Sequence, residues 1–307
     1  MKRPIIAVLL STLAACSSSS ADDERASSEP PLGLSEHALR FKLAKYAVEP
    51  GDSFECHFTD VTTERELFVN RASGKQGNGG HHVTIYYKDG APSPLGHHPC
   101  KEEEMAQWNQ VGGAGNEGEG VADLPPNVAI RIPKGKQMVV QTHYINPTGE
   151  RYEVEDEITV NLVPEKEVQR VANAFVMLDS GFEIPPQAKS FARTTTCTVP
   201  EDLDLVVLLG HMHEKGAHYT LERIDESGKV LESLVDNVWE PSFASHPPSH
   251  HWTTDKPHHL TKGTKLRQTC TWNNVENDAV RFPREMCLAF SYYLDDRGFI
   301  MCNGKEE

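Results

Sequence analysis

Short runs of β-branched and aromatic residues, separated by glycine, proline and asparagine, constrain the fold of this chain more than any other feature. Stretches such as HHVTIYYKDG, QMVVQTHYINPTGE, TKLRQTCTW and EMCLAFSYYL are typical of short strands that end in turns. No long stretch has the periodicity of an amphipathic helix, and only KEEEMAQW indicates a short one. We therefore predict an all-β protein built from antiparallel sandwiches.

The length of the chain and one break in the strand pattern predict two tandem domains. A chain of 307 residues suits two ordinary cores better than one. The strand pattern stops at VPEKEVQRV, where Pro164 lies beside a cluster of charges. We place the first sandwich at residues 35–166 and the second at residues 167–307.

The amino terminus has the pattern of an export signal. A basic MKR start precedes an apolar stretch too short to span a bilayer, and LAAC ends at Cys16. This pattern resembles a bacterial lipobox, whose cysteine becomes the lipidated first residue; the alternative is a secretory signal with an incidental cysteine. We expect a lipoprotein signal peptide over residues 1–16 and a flexible, serine-rich linker over residues 17–34. The protein would then be exported to the bacterial cell envelope and contact the membrane only through its lipid, on the periplasmic side or at the cell surface.

The net charge of the chain excludes one class of partner. Its formal value is −15 at pH 7, and a chain with this charge does not attract a phosphate backbone. We expect no nucleic-acid partner.

Histidines near the ends of strand-like runs indicate a metal site. His211 and His213 in LLGHMHEKG are two residues apart, so on a strand they project from the same face. Two solvated histidines would also fit this pattern. His81 and His82 are neighbours, so they can share a metal only where the backbone is distorted, which the preceding glycines permit. His143 lies near the end of another valine-rich run.

Pattern alone does not select these residues. A lone strand methionine such as Met286 is more often a core residue than a ligand. The histidine-rich stretch over residues 246–259 contains several prolines and is predicted to be a loop with solvated histidines. Three more His-His doublets occur in the chain, at His97–His98, His250–His251 and His258–His259.

Taken in order, HHV, QTHYINP, HMHEKG and EMC resemble the copper type II, ascorbate-dependent monooxygenases, the family of peptidylglycine α-hydroxylating and dopamine β-monooxygenases. The resemblance covers residues 35–307. It implies two jelly-roll sandwiches with one copper site each, separated by an open cleft. The implied ligands are His81, His82 and His143 on an electron-transfer copper, and His211, His213 and Met286 on a catalytic, oxygen-binding copper.

The ligand types suit this chemistry. Imidazole binds both oxidation states of copper, whereas the soft thioether of Met286 favours Cu(I) and argues against zinc. The resemblance implies hydroxylation of an aliphatic C–H of a small organic substrate by O₂, with ascorbate or another one-electron donor as the reductant. The alternatives are a non-catalytic envelope lipoprotein that binds and buffers copper, and an adhesive sandwich with incidental histidines.

The chain departs from the peptide-amidating members where they hold their substrate. Leu209 stands in place of an arginine that binds the peptide carboxylate, and Leu288 and Phe290 replace an asparagine and a tyrosine. Because Leu288 and Phe290 share a strand face with Met286, we expect a more apolar pocket and no peptide amidation. Gln141 matches a family position near the cleft, without an assigned role.

Six cysteines remain after Cys16, and they allow 15 pairings between which sequence reasoning cannot choose. An exported compartment permits disulfides. The resemblance implies three bridges, each within one domain: Cys56–Cys100, Cys197–Cys302 and Cys270–Cys287.

Overall fold

The structure, a computed structural model, describes residues 37–105, 108–115, 117–119 and 123–306. They belong to one compact unit, Leu32–Glu307. The predicted signal peptide over residues 1–16, its Cys16 and the linker over residues 17–34 lie outside the described residues. Within the described ranges, no helix has the length and apolar character needed to cross a bilayer.

Strands form most of the described residues in the first half of the chain, as predicted. The one helix assigned there is the short predicted one, α1 (Glu102–Met105), among the described residues. The strands are β1 (Ala38–Lys42), β2 (Tyr46–Val48), β3 (Gly51–Thr62), β4 (Leu67–Lys75), β5 (Gly80–Lys88), β6 (Gly96–Pro99), β7 (Trp108–Gly115), β8 (Glu117–Glu119), β9 (Val128–Ile132), β10 (Gln137–Asn146), β11 (Tyr152–Val154) and β12 (Glu157–Leu162).

The second half follows a 3₁₀ turn at Glu165–Glu167, where the sequence predicted a break, and contains another 3₁₀ turn at Pro241–Ala244. Its strands are β13 (Arg170–Asp179), β14 (Glu183–Ile184), β15 (Phe191–Thr198), β16 (Leu203–His211), β17 (Gly216–Ile224), β18 (Val230–Val238), β19 (Ser249–His251), β20 (His258–Leu260), β21 (Lys265–Trp272), β22 (Val280–Arg281), β23 (Cys287–Leu294), β24 (Ile300–Asn303) and β25 (Lys305–Glu306).

The first half forms a sandwich of two sheets. One sheet has the order β6-β3-β10-β5-β7, and the other contains β1-β12-β4-β9. Side chains from both sheets, among them Phe41, Ile158, Val83 and Val140, meet in one buried core. Alternation of side chains explains this arrangement, because every second residue of each strand points inward.

The second half forms a sandwich in the same way. The sheet β18-β17-β21-β15-β25 packs on the sheet that contains β13-β23-β16-β19. Its core includes Leu205 and Tyr293 from one sheet and Tyr219 and Trp272 from the other. The predicted fold class, all-β with two tandem sandwiches, is thereby confirmed.

One sheet is continuous across the two halves. β9 pairs in parallel with β13, with Val128 opposite Arg170, and joins the two sets of strands edge to edge. Beside this seam an apolar cluster takes Val128 and Ile130 from the first half and Val207 and Phe290 from the second. The domain limits at residues 35–166 and 167–307 remain a prediction.

β10 is buried on both faces, and this places part of the site. Met138 and Val140 point into the first core. Val139, Gln141 and His143 alternate with them and are also buried. Their face of the sheet is therefore covered by other parts of the molecule rather than by solvent.

All three disulfides predicted from the resemblance are present, and this part of the prediction is confirmed. The Cα atoms are 5.0 Å apart in Cys56–Cys100, 6.1 Å apart in Cys197–Cys302 and 5.9 Å apart in Cys270–Cys287. The last bridge links β21 to the first residue of β23, immediately after Met286.

Candidate metal centre

A β-bulge places the adjacent histidines of β5 on one site. His143 of β10 pairs with His82, whereas Tyr144 pairs with Gly80, so His81 is the extra residue of the bulge. A bulge re-aims a side chain that regular pleating would send to the opposite face. Gly79, with φ of +81°, permits this turn of the backbone. The backbone distortion that the preceding glycines permit is therefore present.

The second pair of histidines lies at the end of β16. His211 is its last residue, Met212 enters the second core, and His213 follows. Gly210 is required for close packing, because a Cβ atom there would lie 2.1 Å from the ring of Tyr219. His211 and His213 thus project away from the core, as two alternate residues of a strand must.

The five imidazoles converge in one cluster. Ring centroids are 4.8 Å apart for His82 and His143, 4.7 Å for His81 and His143, and 5.2 Å for His211 and His213. Contacts between the two sets are as close, at 4.5 Å for His81–His213 and 5.3 Å for His143–His213. The resemblance implied two sites across an open cleft, but here the sheet faces that carry the two sets meet and the rings are in contact.

Nitrogen atoms in this cluster are spaced as ligands of a shared ion would be. His82 Nδ1 lies 3.0 Å from His81 Nδ1 and 3.4 Å from His143 Nδ1. Two nitrogens that are each about 2.0–2.1 Å from one ion are about 3–3.5 Å apart. One nitrogen from each of His81, His143 and His213 also lies within 4.8 Å of the others.

Hydrogen bonds fix which ring nitrogen faces the cluster. His143 Nε2 lies 2.8 Å from Asp52 Oδ1, so it carries the proton and leaves Nδ1 with a free lone pair. His213 Nδ1 lies 3.1 Å from the carbonyl oxygen of Arg284, so it donates there and leaves Nε2 as the ligand atom. That Nε2 is buried without a hydrogen-bond partner among the described residues, as is His81 Nε2.

Burial keeps the imidazoles neutral. It lowers the pKa of His82, His143 and His213 well below the usual value, and lowers the pKa of His211 to about 3. Neighbouring imidazoles lower the pKa further by charge repulsion. Neutral imidazole is the form that binds a metal, so the cluster is ready to bind at neutral pH.

Glu285 holds the segment that carries His213 against the segment that carries Met286. Its carboxylate accepts hydrogen bonds from the backbone N–H of His213 (3.0 Å) and Lys215 (2.7 Å) and from Trp272 Nε1 (3.0 Å). Desolvation raises the pKa of Glu285 to about 7. His211 pairs with Leu288 on β23, and continuing this antiparallel register by two residues brings His213 opposite Met286.

A cavity of about 890 Å³ adjoins the cluster. His82, His211 and Met286 form part of its wall. Leu288 and Phe290, the residues from which we expected an apolar pocket, line it as well, and so do Leu209 and Gln141. The cavity lies between the outer faces of the two sandwiches, where β10 and β5 face β16 and β23.

The remaining doublets lie outside the cluster. His97 is paired with Glu55 and His259 with Asp204, with side chains 44% and 52% exposed. The ring of Trp252 lies near those of His250 and His258, with centroids 6.3 and 5.1 Å apart. The stretch over residues 246–259 is not entirely the predicted loop but includes the edge strand β19 and the start of β20. Both strands pair with β16, because their backbone groups complete the edge of that sheet.

Sequence reasoning missed three residues of the site. Asp52 looks like a turn residue in EPGDSF, and Phe54, which stacks on His143 at 3.9 Å, looks like any strand aromatic. Of the three, only Glu285 could have been found from the sequence, because it directly precedes the candidate ligand Met286. A fully buried carboxylate beside such a residue has to be satisfied by several donors.

The cluster fits a transition metal that prefers imidazole. The Nδ1 atoms of His81, His82 and His143 stand at ligand spacing. His81 Nε2 and His213 Nε2 are buried without a hydrogen-bond partner among the described residues, and a thioether lies on an adjoining segment. Three histidines suit zinc and copper alike. The methionine favours copper, because a thioether is a soft ligand.

Comparisons with known proteins identify no family. No family model and no curated protein matches the chain. Among solved structures, it is similar to a recombinant peptide N-glycanase F (11% identity, TM-score 0.37, covering 86% of this chain and 97% of that chain). It is similar to a peptide-N(4)-(N-acetyl-β-D-glucosaminyl) asparagine amidase (12%, 0.36, 84% and 96%). It is also similar to a protein of an archaeal virus with a triple jelly-roll fold (10%, 0.25, 87% and 62%).

These comparisons contradict the predicted membership in the copper type II, ascorbate-dependent monooxygenase family. The structures named are an N-glycanase, an amidase and a viral protein, and nothing in them points to that family. The resemblance rested on four short segments, one of which is a doublet that recurs three times elsewhere in the chain. The prediction of family membership is therefore wrong, and the site has to be interpreted from its own geometry.

Proposed function

We propose that the protein is a copper-dependent oxidoreductase that hydroxylates an aliphatic C–H of a small organic substrate, using O₂ and a one-electron donor such as ascorbate. One observation carries the proposal: His82, His211 and Met286 of the cluster form part of the wall of the 890 Å³ cavity. A ligand in that cavity would contact the side chains that hold the metal. Bound copper would supply one-electron redox chemistry with O₂ at that wall.

Different residues would bind the metal ions, fix the histidine tautomers and contact the substrate. His81, His82 and His143 would hold one ion, and His211, His213 and Met286 would hold the second, catalytic one. Asp52 and the carbonyl of Arg284 fix the tautomers of His143 and His213. Their burial excludes water, since His143 and His213 are fully buried. The apolar cavity wall would orient the substrate.

Metal content tests the proposal first. We expect the purified protein to bind two copper ions, because six side chains supply two sets of three ligands. His143→Ala should lose one ion and His213→Ala the other. His97→Ala and His259→Ala, which alter exposed histidines outside the cluster, should keep both. Binding of a single ion, or two ions retained in both cluster variants, would contradict the ligand assignment.

Oxygen consumption separates catalysis from storage. A protein that only buffers copper would bind the metal and consume no O₂ in a substrate-dependent way. We expect ascorbate-dependent O₂ uptake that forms a hydroxylated product detectable by mass. Copper binding without such a product would favour the buffering function over the enzyme.

We also propose that the protein is exported and acts in the bacterial cell envelope, attached by lipid at Cys16. Three disulfides support export, because such bridges persist in oxidising compartments. Radiolabelled palmitate should be incorporated by the wild-type chain and not by Cys16→Ala.

A further inference from the structure

We propose that the cavity selects uncharged substrates: molecules with a large apolar portion that carry at most a neutral oxygen group. The inference rests on the proposed function only in calling the occupant a substrate. The binding preference itself follows from the cavity wall.

The apolar part of the wall comes from both sandwiches. The first supplies Phe54, Tyr86 and Trp108, and the second supplies Leu288, Phe290 and Tyr292. An apolar ligand gains free energy by leaving water for such a wall, in proportion to its buried area. A volume of about 890 Å³ accommodates a molecule with a ring and a side chain.

The charges in the wall, apart from the histidines, are already neutralised. Arg71 donates two hydrogen bonds to Asp123 Oδ2, at 2.9 and 2.6 Å. Arg193 donates to Asp179 Oδ2 at 2.9 Å, and the two side chains are 17% and 3% exposed. In the metal-free protein, a charged ligand group would enter without a counterion or would have to break one of these pairs, and either carries a desolvation cost that a neutral group avoids.

The polar groups in the wall are neutral. Burial raises the pKa of Tyr86 to about 12, so its hydroxyl stays protonated. The amide nitrogen of Gln141 lies 3.3 Å from Met105 Sδ and 3.9 Å from Cys100 Sγ, both weak acceptors. Such an amide is better satisfied by the carbonyl, ether or hydroxyl oxygen of a ligand. The wall therefore tolerates a neutral oxygen and rejects an ion.

The test uses three ligands with one carbon skeleton and the metal-free protein. These are 4-phenylbutan-2-one, 4-phenylbutanoate and 4-phenylbutylamine, titrated at pH 7.5 by calorimetry. We expect the ketone to bind at least tenfold more tightly than either ion. Equal or tighter binding of either ion would overturn the proposal, and so would the absence of saturable binding by the ketone.

Variants at two positions locate the binding. Trp108 lines the cavity, so ligand should change tryptophan fluorescence in the wild type and lose most of that effect in Trp108→Phe, while calorimetry still detects binding. Leu209→Arg adds a cation to the wall and should shift the preference toward 4-phenylbutanoate, whereas Leu209→Met should not. If Leu209→Arg fails to fold, the wild-type series alone decides. If the protein prefers the ketone but binds no copper, the proposed function is contradicted and this inference is not.

Discussion

At the residue scale, hydrogen bonds decide which ring nitrogen of a histidine can bind a metal. His143 and His213 each engage one ring nitrogen with a fixed partner, Asp52 or the carbonyl of Arg284, and present the other nitrogen to the cluster. The hydrogen-bond acceptor determines which ring nitrogen carries the proton, and the other nitrogen is then the one that can bind a metal. Residues that contact no metal therefore decide how the cluster binds one.

Met286 is the residue on which the preference for copper depends. Met286→Ile should keep the fold, because such volume-conserving swaps usually cost below about 1.5 kcal/mol. It should lose Cu(I) affinity and oxygen uptake, because isoleucine has no donor atom. X-ray absorption of the reduced protein should show a copper–sulfur path in the wild type and none in the variant. Met105→Ile, at another methionine of the same cavity, is the control and should keep the path. An unchanged sulfur signal in Met286→Ile would make Met286 a core residue.

Asp52 should act as a positioning residue for His143. Asp52→Ala removes the acceptor for Nε2–H, and loss of such a partner typically weakens metal binding about 10–100-fold. Asp52→Asn keeps an oxygen acceptor and should retain most of the affinity. Comparing the two variants shows whether the hydrogen bond or the negative charge of Asp52 supports metal binding. Competition with a copper chelator measures both. Wild-type affinity in Asp52→Ala would show that the ring is held by its stacking on Phe54 instead.

Elements of the second sandwich are held together by two disulfides with different expected roles. Cys270–Cys287 closes a short sequence separation of 17 residues and fixes the start of β23 beside Met286, whereas Cys197–Cys302 spans 105 residues and lies away from the ligands. The chain-entropy model makes the longer loop the more stabilising one. Removal of Cys197–Cys302 should therefore have the larger effect on the free energy of unfolding, and removal of Cys270–Cys287 the larger effect on metal binding.

Replacing each bridge by a pair of alanines tests this order. Loss of Cys197–Cys302 should lower the free energy of unfolding by about 4.7 kcal/mol, and loss of Cys270–Cys287 by about 3 kcal/mol. Copper affinity should fall only when Cys270–Cys287 is removed. Urea unfolding and chelator competition measure the two effects. Equal copper loss in both variants would mean that the bridge does not position Met286.

At the scale of the whole molecule, burial of many histidines makes stability depend on pH. Burial lowers the pKa of the cluster imidazoles and of His57, in the latter to about 3. The unfolded chain takes up protons at these residues below about pH 6.5 and the folded chain does not. The free energy of unfolding should therefore fall as the pH drops, and each histidine contributes up to about 1.4 kcal/mol per pH unit.

Three of the described carboxyls act in the opposite direction. Burial raises the pKa of Asp52 to about 6 and of Glu285 to about 7, and it also raises the pKa of Asp156, so protonation of these groups favours the folded chain. Six histidines outnumber them, and the metal-free protein should lose stability between pH 6.5 and 5. Urea unfolding at several pH values measures the slope, and His57→Gln, outside the cluster, should reduce it. A flat profile would mean that the imidazoles are hydrated in the folded state.

The continuous sheet predicts that the two halves unfold together. β9 and β13 pair across the halves, and the apolar cluster beside them takes side chains from both. Calorimetry of the metal-free protein should show one cooperative transition, and residues 35–166 expressed alone should expose the apolar face of β9 and aggregate. Two separated transitions would show that the predicted domains are energetically independent.

Local sequence patterns were sufficient for part of this molecule. Alternation and turn residues predict the strands, because they depend only on each residue and its near neighbours. The same rule places His211 and His213 on one face, and Gly79 permits the bulge at His81. Contacts between residues of different strands do not follow from such patterns. The sequence could not show that Asp52 accepts from His143 or that Glu285 accepts from the backbone of His213.

Tertiary structure decided how these local pieces combine. The position of His81 beside His213, 4.5 Å between ring centroids, depends on two sandwiches packing face to face and on the pairing of β9 with β13. The cavity exists only between those faces. The sequence by itself determined which side chains project from each strand. Only the packing of sheets distant in sequence decided that five imidazoles share one cluster, because contact across a sheet interface depends on register and crossing geometry that no local pattern encodes.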